Sequence, residues 1–317
     1  MEPPPPEQPL ETVLVAPAPP PLAAAPPRVW TTFLALAAYL VGSLVAGSIV
    51  VALAYVGATR PHGAPPDPEQ VGAALVSPLG LLASVLVQLA LAVGIALAAA
   101  GLSRERLTAR LALGRAALGA GALALASLGL LLCGGVMQEL VEVLGIPITG
   151  PLEQLERVLR ALSPGELAVA LLVGGVLVPM GEELFFRGYV QSRLCRRWGT
   201  WPGIACTAIF FALAHFDLLH SASALVAGFY LGWLAQRTGS TVPGMIVHAV
   251  NNLVAIATGW ALRDPELSRG AHAALLAALL AGAVAVIAWL ARRLPRAAPA
   301  AAPARAPADE NAASLGG

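Results

Sequence analysis

Residues 165–190 read GELAVALLVGGVLVPMGEELFFRGYV, an apolar run long enough to be a membrane helix, yet broken beyond its first turn by Glu182, Glu183 and Arg187. Crossing a ~30 Å hydrocarbon layer takes about 20 helical residues. The preceding Ser163-Pro164-Gly165-Glu166 reads as a capping box with Pro at the first helical position, so a helix is predicted to start there. The whole chain has the same character. Of its 317 residues, 57% are hydrophobic and 12% charged, where a soluble domain carries about 25% charged residues. The mean hydropathy is +0.75. Such a chain cannot cover its own surface with polar groups, which excludes a soluble enzyme and a disordered protein. A net charge of +1 lacks the concentrated basic face of a nucleic-acid binder.

Outward from this stretch, about eight apolar segments are long enough to span: 30–56, 78–100, 116–144, 165–190, 200–218, 220–236, 241–260 and 271–291. The expected fold is an all-α, polytopic membrane helix bundle. Residues 1–29 and 296–317 are Pro- and Ala/Pro-rich and are expected to be disordered tails. Between them lie accessory helices over 30–144, a polar-bearing core over 165–258 and a last helix over 271–291. Arginines concentrate after the second helix (Arg104, Arg106, Arg110, Arg115), the fourth (Arg193, Arg196, Arg197), the sixth (Arg237) and the eighth (Arg292, Arg293, Arg296). The opposite loops hold Arg60, Arg157, Arg160, Arg263 and Arg269. Short cytoplasmic loops are the Arg-rich ones, so a multi-pass protein of the cell membrane with both termini cytoplasmic is expected. Cys133, Cys195 and Cys206 lack CxxC spacing and read as small buried hydrophobes. No internal repeat is visible, which counts against a proton-coupled transporter built from matching halves. The stripe Ala224, Gly228, Gly232 marks close helix packing.

An ionisable side chain inside a membrane helix costs at least ~2.5–3.5 kcal/mol, so each one needs a reason. Glu183 and Arg187 are four apart and share a helix face as an ion pair. Glu182 stands about 100° round the helix, and its i+3 and i+4 neighbours are Phe185 and Phe186. It has no basic partner in its own helix. Phe211 and His215 share one face of the fifth segment, and His248 and Asn252 one face of the seventh. Two histidines, an unpaired glutamate and an amide on three helices point to a shared site. Asp217 and His220 read as solvated residues of an outer turn, Glu139 and Glu142 as interfacial, and His62 and His272 as residues in or beside loops.

These motifs, EExxxR (Glu182, Glu183, Arg187), FxxxH (Phe211, His215) and HxxxN (His248, Asn252), resemble the signature of the CAAX-protease and bacteriocin-processing superfamily. That superfamily includes the Abi and type II CAAX prenyl endopeptidase-like intramembrane proteases. The resemblance covers roughly residues 165–258. It implies peptide-bond hydrolysis within the bilayer, on membrane-associated protein or peptide substrates.

The residue types suit that reaction, which needs a base for water and donors for the oxyanion. Glu182 is the natural base, with His215 polarising the same water. His248 and Asn252 can donate to the oxyanion, and Glu183, Arg187 and Phe211 support them. A second scheme makes Glu182, His215 and His248 ligands of a zinc ion with an open position for water. Relatives are often classed as metalloproteases, but the HExxH spacing of zinc peptidases is absent. The metal-independent scheme is the expectation. The alternative is a non-catalytic immunity or sequestration protein of the same superfamily, which has no need of Glu182 or His248. Upright helices of ~1.5 Å rise per residue would leave His215 offset by as much as ~10 Å from Glu182 and His248, so the shared site requires tilt.

Overall fold

A computed structural model describes residues 28–58, 74, 77–102, 106–114, 116, 118–262 and 267–294. Most of both tails, together with Arg60, His62, Arg104, Arg115, Arg263 and Arg296, lies outside the described residues. The elements are all helical: α1 (Val29–Ala58), α2 (Pro78–Gly101), α3 (Leu107–Arg110), α4 (Ala120–Leu144), α5 (Pro151–Ala161), α6 (Pro164–Trp198), α7 (Thr200–Leu213), α8 (Leu218–Thr238), α9 (Val242–Ala261) and α10 (Arg269–Arg293). No strand occurs among the described residues. The chain is an all-α, polytopic membrane helix bundle.

Local chemistry sets the helix ends. Ser163 Oγ accepts from the Glu166 N–H, and the Glu166 carboxylate accepts from the Ser163 N–H at 2.9 Å, the predicted capping box. Ser77 and Ser268 cap α2 and α10 in the same way. Gly145 and Gly239 end α4 and α8 in the left-handed conformation that glycine adopts without a Cβ penalty.

Among the described residues, seven helices are long and apolar enough to cross a bilayer. The predicted fifth span is the exception. It is α7, only 14 residues, or ~21 Å, because the Ala214–Asp217 turn ends it early. α6 is longer than predicted, 35 residues, because its helix runs on through Arg193, Arg196 and Arg197. α5 was not foreseen at all. Its apolar residues Leu152, Leu155, Val158 and Leu159 share one half-buried face, opposite ion pairs Glu153–Arg157 and Glu156–Arg160 at 3.7 Å each. An amphipathic helix of this kind lies in the membrane interface rather than across it.

α6 is the central helix, packed by α1, α2, α7, α8 and α9. One apolar cluster joins α1, α2 and α6 through Leu36, Tyr39, Ala92, Ala96, Phe185 and Phe186. A second joins α4, α8, α9 and α10 through Leu130, Leu231, Val247 and Leu290. Leu111, just after α3, is 1% exposed. Its carbonyl accepts from the Thr241 hydroxyl at 3.0 Å and faces Gly188 so closely that a Cβ there would stand 2.8 Å away. This loop therefore closes one end of the gap between α6 and α9.

Candidate active site

The polar core starts from the Glu183–Arg187 pair. Arg187 donates from Nη1 to Glu183 Oε1 at 2.7 Å, with both side chains fully buried. Its Nη2 donates to the Gly228 carbonyl at 3.3 Å, and its guanidinium lies 4.4 Å over the Phe211 ring. One turn on, Gln191 Nε2 donates to the Gly232 carbonyl at 2.9 Å. The small-residue stripe of α8 thus has a second use, since its glycines leave backbone carbonyls open to side chains of α6. A Cβ on Gly232 would stand 2.7 Å from Gln191 Oε1, and one on Gly228 would stand 3.0 Å from Ala208 of α7.

Glu183 also reaches the α9 histidine. His248 Nδ1 lies 3.1 Å from Glu183 Oε1, and since a carboxylate only accepts, Nδ1 is the donor. That leaves Nε2 facing Glu182, whose Oε2 stands 3.8 Å away. The approach depends on Gly244, one turn before His248, where a Cβ would stand 2.9 Å from Glu183 Oε2. Glu182 and Glu183 therefore divide one imidazole between them, Glu183 at the fixed end and Glu182 at the free end.

Phe211 joins the second histidine to this group. Its ring centroid is 5.0 Å from that of His215 and 5.9 Å from that of His248. His215 Nδ1 donates to the Phe211 carbonyl at 2.8 Å, which leaves its Nε2 as the acceptor. The expected offset of His215 is absorbed by the turn at Gly199. α6 and α7 form a hairpin about it, and the segments Glu182–Gly199 and Gly199–His215 are nearly equal in length, so both residues stand at a similar distance from the turn.

Asn252 occupies a different place from His248. Its amide donates to the Gly174 carbonyl of α6 at 3.3 Å, and its Oδ1 accepts from Asn251. The cause is local. Gly174 lies in a π-helical stretch, Leu171–Leu177, in which the Val178 N–H donates to the Val173 carbonyl. The next N–H in that pattern would serve Gly174, but residue 179 is a proline and has none. Asn252 fills the vacancy, and Gly175 lets α9 approach, since a Cβ there would stand 2.7 Å from Leu253.

His220 and Asp217 differ from their expected role as solvated turn residues. Asp217 accepts from the His220 N–H at 2.9 Å as the N-cap of α8, and the His220 ring lies 4.3 Å from that of His215. The helix start carries His220 inward. His272 stands beside a loop, as expected, but it has a partner. From the first turn of α10 its Nδ1 donates to Glu139 of α4 at 2.8 Å, away from the site. Gln191 and His220 are the site neighbours that the motifs did not reveal, and both depend on helix pairings with no spacing signal.

The donor chemistry of His215 Nε2, His248 Nε2 and Glu182 matches a zinc set. The side chains do not converge as one, however. Among the described residues, no group of three or more His, Cys, Asp or Glu side chains is placed to hold a metal ion.

A transmembrane bundle that gathers two carboxylates, an arginine and two histidines defines a membrane protein with a buried polar site. Residues 164–254 match the family model described as type II CAAX prenyl endopeptidase Rce1-like. The resemblance read from the three motifs is borne out over this core, which is similar to the CAAX-protease family. No curated protein matches the chain significantly.

Proposed function

We propose that the chain is an intramembrane endopeptidase that hydrolyses peptide bonds of membrane-associated substrates. The observation that carries this reading is Glu182, a carboxylate with no basic partner in its helix, whose Oε2 stands 3.8 Å from His248 Nε2 within an apolar bundle. Two carboxylates and one guanidinium leave one negative charge in excess, and an uncompensated charge out of water is costly. With a carboxylate facing each ring nitrogen, His248 in this scheme carries a hydrogen on both, and Glu182 serves as the base.

In the proposed step, Glu182 takes a proton from water while His215 Nε2 accepts the water's other hydrogen. The water oxygen bonds to the scissile carbonyl carbon. His248 Nε2–H donates to the oxyanion, and the second N–H of Asn252 is the other candidate donor. The C–N bond then breaks, and Glu182 returns its proton to the departing amine. Glu183 holds His248 in this orientation, and Arg187 holds Glu183. In this scheme no step passes through a metal.

The test is cleavage of quenched fluorescent peptides, with and without a prenylated cysteine, by the purified protein in liposomes. Glu182→Gln is expected to abolish turnover, and Asn252→Ala to lower it by roughly 10²–10³, the usual cost of one oxyanion donor. Activity is expected to survive thorough chelation. Stoichiometric zinc by elemental analysis, with loss of activity on its removal and return on its addition, would replace this scheme by the zinc one. Wild-type turnover by Glu182→Gln would remove Glu182 as the base, and no cleavage above background by the wild type would favour the sequestration protein instead.

A further inference from the structure

Tyr39 comes from α1, outside the matched residues 164–254. It is 3% exposed. Its ring lies 5.0 Å from that of Phe185 and 5.6 Å from that of Phe186, centroid to centroid. These phenylalanines follow Glu182 by three and four positions, and helical side chains lean back over the preceding turn. Tyr39 therefore covers the turn of α6 that carries Glu182.

Its hydroxyl is the unusual part. Buried tyrosine hydroxyls normally find a protein partner, as Tyr230 does by donating to the Ala126 carbonyl at 2.7 Å. Among the described residues the Tyr39 hydroxyl has none. Glu182, on the turn that Tyr39 covers, is within electrostatic reach of it. A phenol near the base, uncommitted to the protein, is a neutral hydrogen-bond donor for a bound carbonyl. It would act beside His248 and the one amide hydrogen that Asn252 keeps after bonding Gly174.

Resting on the endopeptidase reading, we infer that Tyr39 is a further catalytic residue, donating its phenolic hydrogen to the scissile carbonyl oxygen as negative charge builds there. The O–H bond stays intact throughout; the water proton goes to Glu182, and Tyr39 supplies a hydrogen bond only. The oxyanion site is then completed by α1, an element outside the matched core.

Tyr39→Phe keeps the ring against Phe185 and Phe186 and removes only the hydroxyl. On a peptide that the wild type cleaves, it is expected to lower kcat about 10²-fold, with KM within about two-fold and an unchanged thermal midpoint in detergent. Tyr39→Ala, which also removes the ring, is expected to lower the midpoint as well. Wild-type kcat in Tyr39→Phe would overturn the proposal, and so would a loss of kcat matched by a loss of midpoint. Glu182→Gln in the same assay separates the two readings. If it is inactive while Tyr39→Phe is fully active, only the role of Tyr39 falls. If it keeps full activity, the active-site reading falls and takes Tyr39 with it.

Discussion

Glu183 Oε1 is the busiest acceptor in the site, taking Arg187 at 2.7 Å and His248 at 3.1 Å. Neighbouring glutamates thus have different work. Glu183 is spent on structure, and Glu182 is left for a proton. Removing one partner of a buried ion pair typically costs ~3–5 kcal/mol, because the other charge stays buried alone. Arg187→Ala should therefore lower the thermal midpoint and the amount of inserted protein along with activity. Arg187→Lys keeps the charge but has one ammonium where Arg187 uses two separate nitrogens, for Glu183 and for the Gly228 carbonyl. An intermediate midpoint is expected, measured by differential scanning fluorimetry in detergent. A fully stable, inactive Arg187→Ala protein would instead place Arg187 in contact with the substrate.

At the scale of elements, α8 is held to α6 and α7 by the absence of side chains. Gly228 faces Ala208 of α7 and offers its carbonyl to Arg187; Gly232 does the same for Gln191 one turn on. Gly228→Leu should force α7 and α8 apart, and α7 carries Phe211 and His215. Loss of activity with a lowered midpoint is expected, whereas the same change at Gly47 of α1, where a Cβ would meet nothing within 4 Å, should be tolerated. Equal behaviour of the two variants would show that close packing at α8 is not what positions the histidines. The stripe was legible as packing from its four-residue spacing. Its role as a row of acceptors was not, because that depends on which helix lies against it.

For the whole molecule, the count of crossings decides where the ends lie. Seven long helices put the start of α1 and the end of α10 on opposite sides of a membrane, whereas both termini on the cytoplasmic side requires α7 to cross as well. The arginine bias favours the latter. Reporter fusions in the loop near Arg110 and after Arg296 should both report cytoplasm. An outer-side signal after Arg296 would make α7 a helix that enters and leaves by the same face, with Trp198 and Trp201 at its membrane boundary.

The sequence by itself determined the membrane class, the helical fold, the capped start of α6 and the family resemblance of the core, because hydropathy, capping and motif spacing are local along the chain. It also singled out Glu182 by elimination, since no base stood three or four residues away. Only the tertiary structure decided that Glu183 orients His248, that Asn252 answers a carbonyl orphaned by Pro179, that His220 turns inward, and that Tyr39 stands over the turn bearing Glu182. Each is a contact between helices remote in sequence. Such contacts depend on which faces meet and how closely glycine lets them approach, and no single-helix periodicity encodes that.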